Sequence, residues 1–275
     1  AFIAETDLLI AYAGDGATLS VNGQHIPAER PVFIPALTTI NLIATQSGVR
    51  TYLAIAGGWD VPEVLGSRST FLTFGFGGFN GRLLKKGDIL NSVDKTTTIS
   101  AVLFERLKNT SVNYPSWGIS LRDFGPIDKK TIKVVAANEF TWFDKASITN
   151  FFSAPYLIGR QSNRMGYFLD GPVIERVKPA ELLSTAVCPG TIQVTGNGTM
   201  IILMADCQTT GGYPRIAQIA AIDMPQCAQL RPGDAVYFEQ IKRDEAEKLY
   251  IEREQQLQQL TTAISANFYR HYANY

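Results

Sequence analysis

The chain has 275 residues, 45% hydrophobic and 18% charged, with Lys+Arg and Asp+Glu balanced at 25 each. Such a composition is globular and long enough for one large or two ordinary domains; it excludes a disordered chain and a strongly basic binder of nucleic acid or anionic membrane. No apolar run approaches the roughly 20 residues that span a bilayer.

Residues 1–7 carry neither the basic region nor the cleavage site of a signal peptide. Three cysteines, Cys188, Cys207 and Cys227, cannot all pair, and none lies in a Cys-x-x-Cys motif. A reduced, cytoplasmic setting is therefore expected. His25 and His271 have no acidic or cysteine cluster near them in sequence, which argues against a histidine metal site or a Ser-His-Asp triad.

Short strand-like runs dominate from the start. Residues 7–13 are an apolar run closed by Gly14-Asp15-Gly16, and residues 18–21 are turned by Asn22-Gly23, a hairpin signal. Runs 39–44 and 51–56 follow, separated by Gln46-Ser47-Gly48. Residues 74–81 combine glycines with Phe74, Phe76 and Phe79, predicting a loop of unusual backbone angles whose rings still bury area. Lys86-Gly87-Asp88 predicts a turn into another strand. Residues 109–126, with Pro115 and Pro126, have the character of an interdomain linker.

Run 131–135 opens a second module, and residues 140–152 predict a short helix capped near Thr141 or Asp144. Strands are expected at 165–167, 191–194, 200–204 and 235–238. From Gln240 to about Arg270 there is no Gly or Pro, and Leu249, Leu257, Leu260, Ile264 and Phe268 recur about once per turn. That pattern predicts a terminal helix whose stripe packs on the chain's own β modules in preference to a partner. The expected organisation is residues 1–112, 113–238 and a helix over 239–275.

The two halves share punctuation. Gly57-Gly58-Trp59-Asp60-Val61-Pro62 follows an apolar run, as does Gly211-Gly212-Tyr213-Pro214, and Lys86-Gly87-Asp88 matches Pro232-Gly233-Asp234. Matches in the same order predict an internal repeat of domain size. The copies are unequal, since only residues 1–56 precede the first Gly-Gly.

Four segments mix polar groups with glycine: residues 57–70, 75–79, 161–167 and 206–214. Glycine-rich turns let backbone N–H groups approach an anion. Arg68 and Arg164 could hold a carboxylate or phosphate by a bidentate fork. Thr209 and Thr210 could donate hydroxyl hydrogen bonds, and Asp206 could accept a proton or orient a water. Any tight β fold also needs such turns, and Arg68 could simply pair with an acid. The expected catalytic residues are Asp206, Thr209 and Arg164. Arg68, Ser67, Gly77, Gly78, Asn163, Gln208, Thr210, Gly211, Gly212 and Tyr213 are the expected substrate contacts. There is no Gly-x-x-x-x-Gly-Lys-[Ser/Thr] phosphate loop. Cys188 and Cys207 lack a histidine partner and are expected to be buried small residues.

These segments resemble, in order, the family known as allophanate hydrolase subunit 2, KipA-like or biotin-dependent carboxyltransferase, whose bacterial members include the C-type subunits of 5-oxoprolinase. The matching stretches are residues 52–70, Ser162-Asn163-Arg164-Met165-Gly166-Tyr167, Pro189-Gly190-Thr191-Ile192-Gln193-Val194, Gln208-Thr209-Thr210-Gly211-Gly212-Tyr213-Pro214 and Leu230-Arg231-Pro232-Gly233-Asp234. The resemblance implies a mainly β protein of two tandem cyclophilin-like β-barrel modules plus a C-terminal α-helix. It implies a B-type (KipI-like) partner and an A-type subunit, with ATP used by the assembly to open 5-oxo-L-proline to L-glutamate. Relatives fused to biotin carboxylases instead move a carboxyl group from carboxybiotin, carried on another protein, to urea. A KipA-like regulator of a KipI-like inhibitor is the third function the resemblance allows. An Asp-x-Gly-Arg-type motif and a Ser-Gly-Ala-Met-Asp-like stretch that usually open the family are missing, so the first module is expected to be incomplete.

Overall fold

The computed structural model describes residues 1–93, 96–120, 130–177 and 182–272. Two compact units are present, Ala1–Leu121 with Ile264–Tyr275, and Arg122–Ala263.

The first unit holds β1 (Phe2–Ala4), β2 (Leu8–Ala13), β3 (Ala17–Val21), β4 (Gln24–Ile26), β5 (Val32–Ile34), β6 (Thr38–Ala44), β7 (Tyr52–Ile55) and the helix α1 (Thr98–Leu107). The strands form two antiparallel sheets, ordered β1-β6-β3-β4 and β5-β2-β7. The predicted hairpin is present: Val21 pairs with Gln24 around Asn22 and Gly23, both at positive φ. Strands β2 and β5 are apolar on both faces because both faces are covered. Ile10, Tyr12, Val32 and Ile34 pack with Leu19 and Ile40, while the alternate residues Leu9 and Phe33 pack with Leu103, Leu107 and Phe268. Strand periodicity thus divides one run between two cores. Helix α1, which the sequence pattern did not suggest, is capped by Thr97, whose Oγ1 accepts from Ser100 N at 3.1 Å.

The stretch expected as a linker is fastened to this unit as far as it is described. Phe33 N donates to Asn113 O at 2.8 Å, Ile119 N to Glu29 O at 2.9 Å, and Arg30 Nη1 to Pro115 O at 3.2 Å. The rest of that stretch, 121–126, lies outside the described residues.

The second unit holds β8 (Thr131–Ala136), a 3-10 turn (Phe140–Trp142), α2 (Lys145–Ser153), β9 (Tyr156–Ile158), β10 (Gly166–Asp170), β11 (Thr185–Ala186), β12 (Thr191–Val194), β13 (Met200–Leu203), β14 (Thr210–Gly211), β15 (Arg215–Ile219), α3 (Met224–Cys227), β16 (Ala235–Gln240) and most of α4 (Arg243–Tyr272). Seven strands close into a barrel, ordered β10-β13-β12-β15-β8-β16-β9. The pairing of β16 with β8 is parallel, and the register shifts between Ile192 and Gln193. Alternate side chains fill the interior, among them Ile132, Val134, Ile192, Val194, Ile202, Ile216 and Val236. Helix α2 begins at the expected cap: Asp144 Oδ1 accepts from Ser147 N at 2.6 Å. Its Phe151 stacks on Phe238 of β16 with ring centroids 4.7 Å apart. The mainly β architecture with a C-terminal helix is the one the sequence implies, and the first unit shows two open sheets where the second closes.

The proposed repeat holds at one of its landmarks. Asp88 N donates to Lys85 O at 3.1 Å and Asp88 Oδ2 accepts from Lys85 N at 2.6 Å. Asp234 N donates to Arg231 O at 2.9 Å and its Oδ2 accepts from Arg231 N at 2.8 Å. Gly87 and Gly233 take φ of 91° and 90° in these two turns. Among the described residues the first, however, leads into a single bridge at Ser92, whereas the second opens β16. The Gly-Gly pairs differ. Gly57 and Gly58 lie in a left-handed turn at φ 89° and 81° after β7, while Gly211 ends the short strand β14.

Candidate functional site

In the second unit, Asn163, Arg164, Asp206 and residues 208–213 gather around the loop before β10 and the loop after β13. Asn163 N donates to Gly166 O at 3.1 Å, and its Oδ1 accepts from Met165 N at 2.8 Å. This Asx turn places Arg164 at the tip. Met204 N bonds Met165 O at 3.0 Å and Asp206 N bonds Arg164 O at 2.9 Å, so the two loops are laced through their backbones. Arg164 Nη2 then donates to Asp206 Oδ1 at 2.8 Å. The arginine side chain is 48% exposed and the aspartate 16%. Two residues expected to share chemistry from sequence are therefore in contact, as a charge-neutral pair with open faces.

Gln208, Thr209 and Thr210 are exposed. Thr209 O accepts from Val187 N at 2.9 Å, and Thr210 and Gly211 pair with Ala186 and Thr185 of β11. Gly211 is glycine for a packing reason: a Cβ there would stand 2.5 Å from Nε2 of Gln193, which is 1% exposed. That same Nε2 donates to Tyr213 O at 3.3 Å. Tyr213 is 49% exposed and lines a cleft of about 410 Å³ with Gln161, Phe168, Thr195, Gly196, Asn197 and Thr199. None of the seven lining residues is charged; amides, hydroxyls and two aromatic rings line it. Sequence reasoning missed the Thr195–Thr199 wall, although Gly196-Asn197-Gly198 between two strand runs is itself a hairpin signal.

A second missed element anchors this region. Glu139 is buried and takes two hydrogen bonds from the Arg215 guanidinium, at 2.6 Å from Nε and 2.7 Å from Nη2. Arg215 N adds a third at 3.2 Å, and Nη1 reaches Ala186 O on β11 at 3.3 Å. Arg215 therefore ties β11, and through it β14, to the barrel wall. Its guanidinium holds the Glu139 carboxyl below the usual glutamate range, against the opposing push of burial. No sequence motif marks this pair, because the partners are far apart in the chain.

The remaining candidates lie in the first unit. Val64 and Ser67 exchange backbone hydrogen bonds at 2.8 and 3.0 Å around Leu65-Gly66. Arg68 is 3.8 Å from Glu63, and both side chains are more than half exposed. Ser67 Oγ accepts from Ser69 N at 3.1 Å. Gly77 and Gly78 sit at φ 71° and 51°; a Cβ on them would meet Ser69 O and Thr70 N, each at 2.6 Å. Close backbone approach accounts for both glycines. Phe79 N completes the contact by donating to Thr70 Oγ1 at 3.2 Å. The rings of this loop do not all bury area, since Phe74 is 71% exposed.

The cysteines also differ from expectation. Cys188 is exposed and Cys207 half-buried, and only Cys227 is fully buried. The first two lie on connecting segments and not on barrel strands, which leaves Cys188 at the surface and Cys207 partly accessible.

Comparison with known proteins places these features in context. The family model described as the carboxyltransferase domain, subdomain A and B, matches residues 1–240. The C-type subunit of 5-oxoprolinase from Escherichia coli (strain K12) is 38% identical over 256 residues, covering 93% of this chain and 77% of that protein. Urea amidolyase of Saccharomyces cerevisiae is 30% identical over 84% of this chain but only 13% of its own length. The crystal structure of Kluyveromyces lactis urea carboxylase superposes with a TM-score of 0.78 at 26% identity, over 92% of this chain and 23% of that one.

Proposed function

This chain belongs to the carboxyltransferase-domain family, and from that premise we propose that it is the C-type subunit of an ATP-dependent 5-oxoprolinase that opens 5-oxo-L-proline to L-glutamate. The 38% identity to the C-type subunit of the Escherichia coli 5-oxoprolinase, over 93% of the chain, carries the reading. The uncharged cleft suits a neutral lactam ring: Gln161 and Asn197 offer an amide donor and acceptor, with Phe168 and Tyr213 as apolar walls. It does not suit a triphosphate, which calls for cations and backbone cradles, so ATP and the phosphorylation that activates the lactam carbonyl are assigned to another subunit. Arg164 supplies a guanidinium for the substrate carboxylate. Asp206, held by that arginine, accepts a proton from the attacking water, with the exposed Thr209 and Thr210 as the hydroxyl donors. Arg68, Ser67, Gly77 and Gly78 form the second candidate contact surface. A B-type and an A-type subunit are the partners.

Reconstitution tests this. The chain combined with cognate A- and B-type subunits is expected to release glutamate from 5-oxoproline only with ATP present. Arg164→Ala and Asp206→Asn should each lower that rate by roughly 100-fold, the scale of a lost acid–base group. Absence of turnover with both subunits would sink the reading.

Carboxyl transfer to urea is the second reading, favoured by the likeness to urea amidolyase. The ureido ring of a biotin carried on another protein presents the same neutral amide edge to the cleft. Urea carboxylation with a carboxybiotinylated carrier would select that reading. Tight binding of a KipI-like partner without any turnover would select a regulatory role.

A further inference from the structure

The antiparallel register of β11 and β14 continues through Val187 N, which donates to Thr209 O at 2.9 Å, and then breaks. The next tie is Gly190 N to Leu203 O at 2.7 Å. Between these two anchors, Cys188 and Pro189 face a longer opposing segment, residues 204–208, which loops out through a turn closed by Cys207 N to Met204 O at 3.0 Å. Both cysteines thus sit in the mouth of one small loop, on opposing strands of chain. Burial first, and the nearby Cys188 second, push the Cys207 thiol up. Cys188 is exposed, with its Sγ 3.7 Å from Gln218 Oε1 and 3.9 Å from Thr191 Oγ1. Cys207 is half-buried.

We propose that Cys188 and Cys207 form a peroxide-responsive pair that closes to an intramolecular disulfide across the 204–208 loop. Exposure makes Cys188 the attacking sulfur. Its thiolate attacks one oxygen of hydrogen peroxide; the O–O bond breaks, leaving a sulfenic acid on Cys188 and a hydroxide that is protonated to water. The Cys207 thiolate then attacks the Cys188 sulfur. The S–S bond forms, the S–O bond breaks, and the departing hydroxide takes up a proton. Two thiols lose two electrons in total, and one peroxide is reduced to two waters. The loop is short and carries Asp206, so the crosslink fastens the partner of Arg164 to residues 187–190.

The test is mass spectrometry of the intact purified chain. After hydrogen peroxide, denaturation and alkylation, the expected product has lost two hydrogens and two of its three alkylatable thiols. Proteolysis should yield a linked peptide pair containing Cys188 and Cys207, and dithiothreitol should restore both thiols. In Cys207→Ser the reaction should stop at a sulfenic acid on Cys188, trapped by dimedone; in Cys188→Ser, Cys207 should stay reduced. Each of three wild-type outcomes overturns the proposal: accumulation of sulfinic acid at Cys188 with no link, a disulfide between chains on a non-reducing gel, or a link that includes Cys227.

Discussion

The Glu139–Arg215 pair makes the most exacting prediction. Glu139→Gln keeps the shape of the side chain and removes its charge, leaving the Arg215 guanidinium, 18% exposed, without a counterion. Breaking a buried pair by removing one partner costs about 3–5 kcal/mol. Gln retains one acceptor for the guanidinium and some water reaches it, so the expected loss is about 2–3 kcal/mol. For a unit of this size that lowers the melting temperature by roughly 4–12 °C. Trp142 reports the second unit alone when Trp59 and Trp117 of the first are replaced by Phe, so denaturant titration read by its emission isolates the effect. The pH dependence fixes the cause. Arg215 holds the Glu139 carboxyl below its usual value, so the pair's contribution is complete above the ordinary glutamate range and is lost as pH falls through the lowered folded value. The gap between wild type and Glu139→Gln should therefore narrow and close as the pH falls below the ordinary glutamate range. A deficit under about 0.5 kcal/mol at neutral pH, or one that persists unchanged into acid, would refute the reasoning.

Tyr156 is buried with a hydroxyl that has no hydrogen-bond partner among the described residues. Tyr156→Phe is expected to stabilise the second unit by about 1 kcal/mol in the same titration. Burial pushes the Tyr156 phenol up to about 12; the unfolded chain loses that proton first, so stability falls as pH rises above about 10, and the variant should lose less of it. In the first unit, Gly77→Ala puts a Cβ 2.6 Å from Ser69 O at φ 71°, whereas Gly87→Ala at φ 91° meets nothing within 4 Å among the described residues. The first should cost about 2 kcal/mol or more and the second about 1 kcal/mol. Equal losses, read by Trp59 and Trp117 emission, would mean that the close approach carries no weight. Arg164→Ala removes an ion pair whose arginine is 48% exposed, so melting should change by less than about 1 kcal/mol while turnover by the proposed assembly falls.

What the sequence made legible follows from the range of the interaction involved. Local signals held: Asn22-Gly23 makes the first hairpin, Asp144 caps α2, and the absence of Gly and Pro after Gln240 gives the long helix α4. The terminal stripe is half true, since Phe268 is buried with Leu9 and Phe33 while Leu257 is 39% exposed. Contacts between residues far apart in the chain were not legible. Nothing in the text of residues 138–140 announces a partner at Arg215, and nothing in Thr195–Thr199 says that it faces Gln161 and Tyr213 across a cleft. The Arg164–Asp206 contact was within reach because each residue stood in a polar, glycine-bearing segment beside an apolar strand.

The paired motifs show where pattern matching stops being a physical argument. The turns at Asp88 and Asp234 coincide because one short hydrogen-bonded ring dictates both the aspartate and the glycine: the carboxylate caps the backbone N–H three residues back, and the chain must then pass through positive φ. Four residues contain the whole cause, so a repeat in sequence is a repeat in structure. The Gly-Gly pairs match in sequence for two different reasons. Gly57 and Gly58 satisfy a left-handed turn, Gly57 also passing where a Cβ would strike Val93 O, and Gly211 lies against the Gln193 side chain. A glycine records only that a Cβ is unwelcome, and both a dihedral and a neighbour can make it so. The consequence for function is specific. The second pair is held flat against the barrel by Gln193 and tied through β11 to Arg215, so Gln208, Thr209, Thr210 and Tyr213 are presented on a braced strand edge. The first pair belongs to a turn. Of two motifs that look alike in the chain, the second adds a buried side chain and an ion pair to its backbone ties, the backing that positioning a reacting group needs.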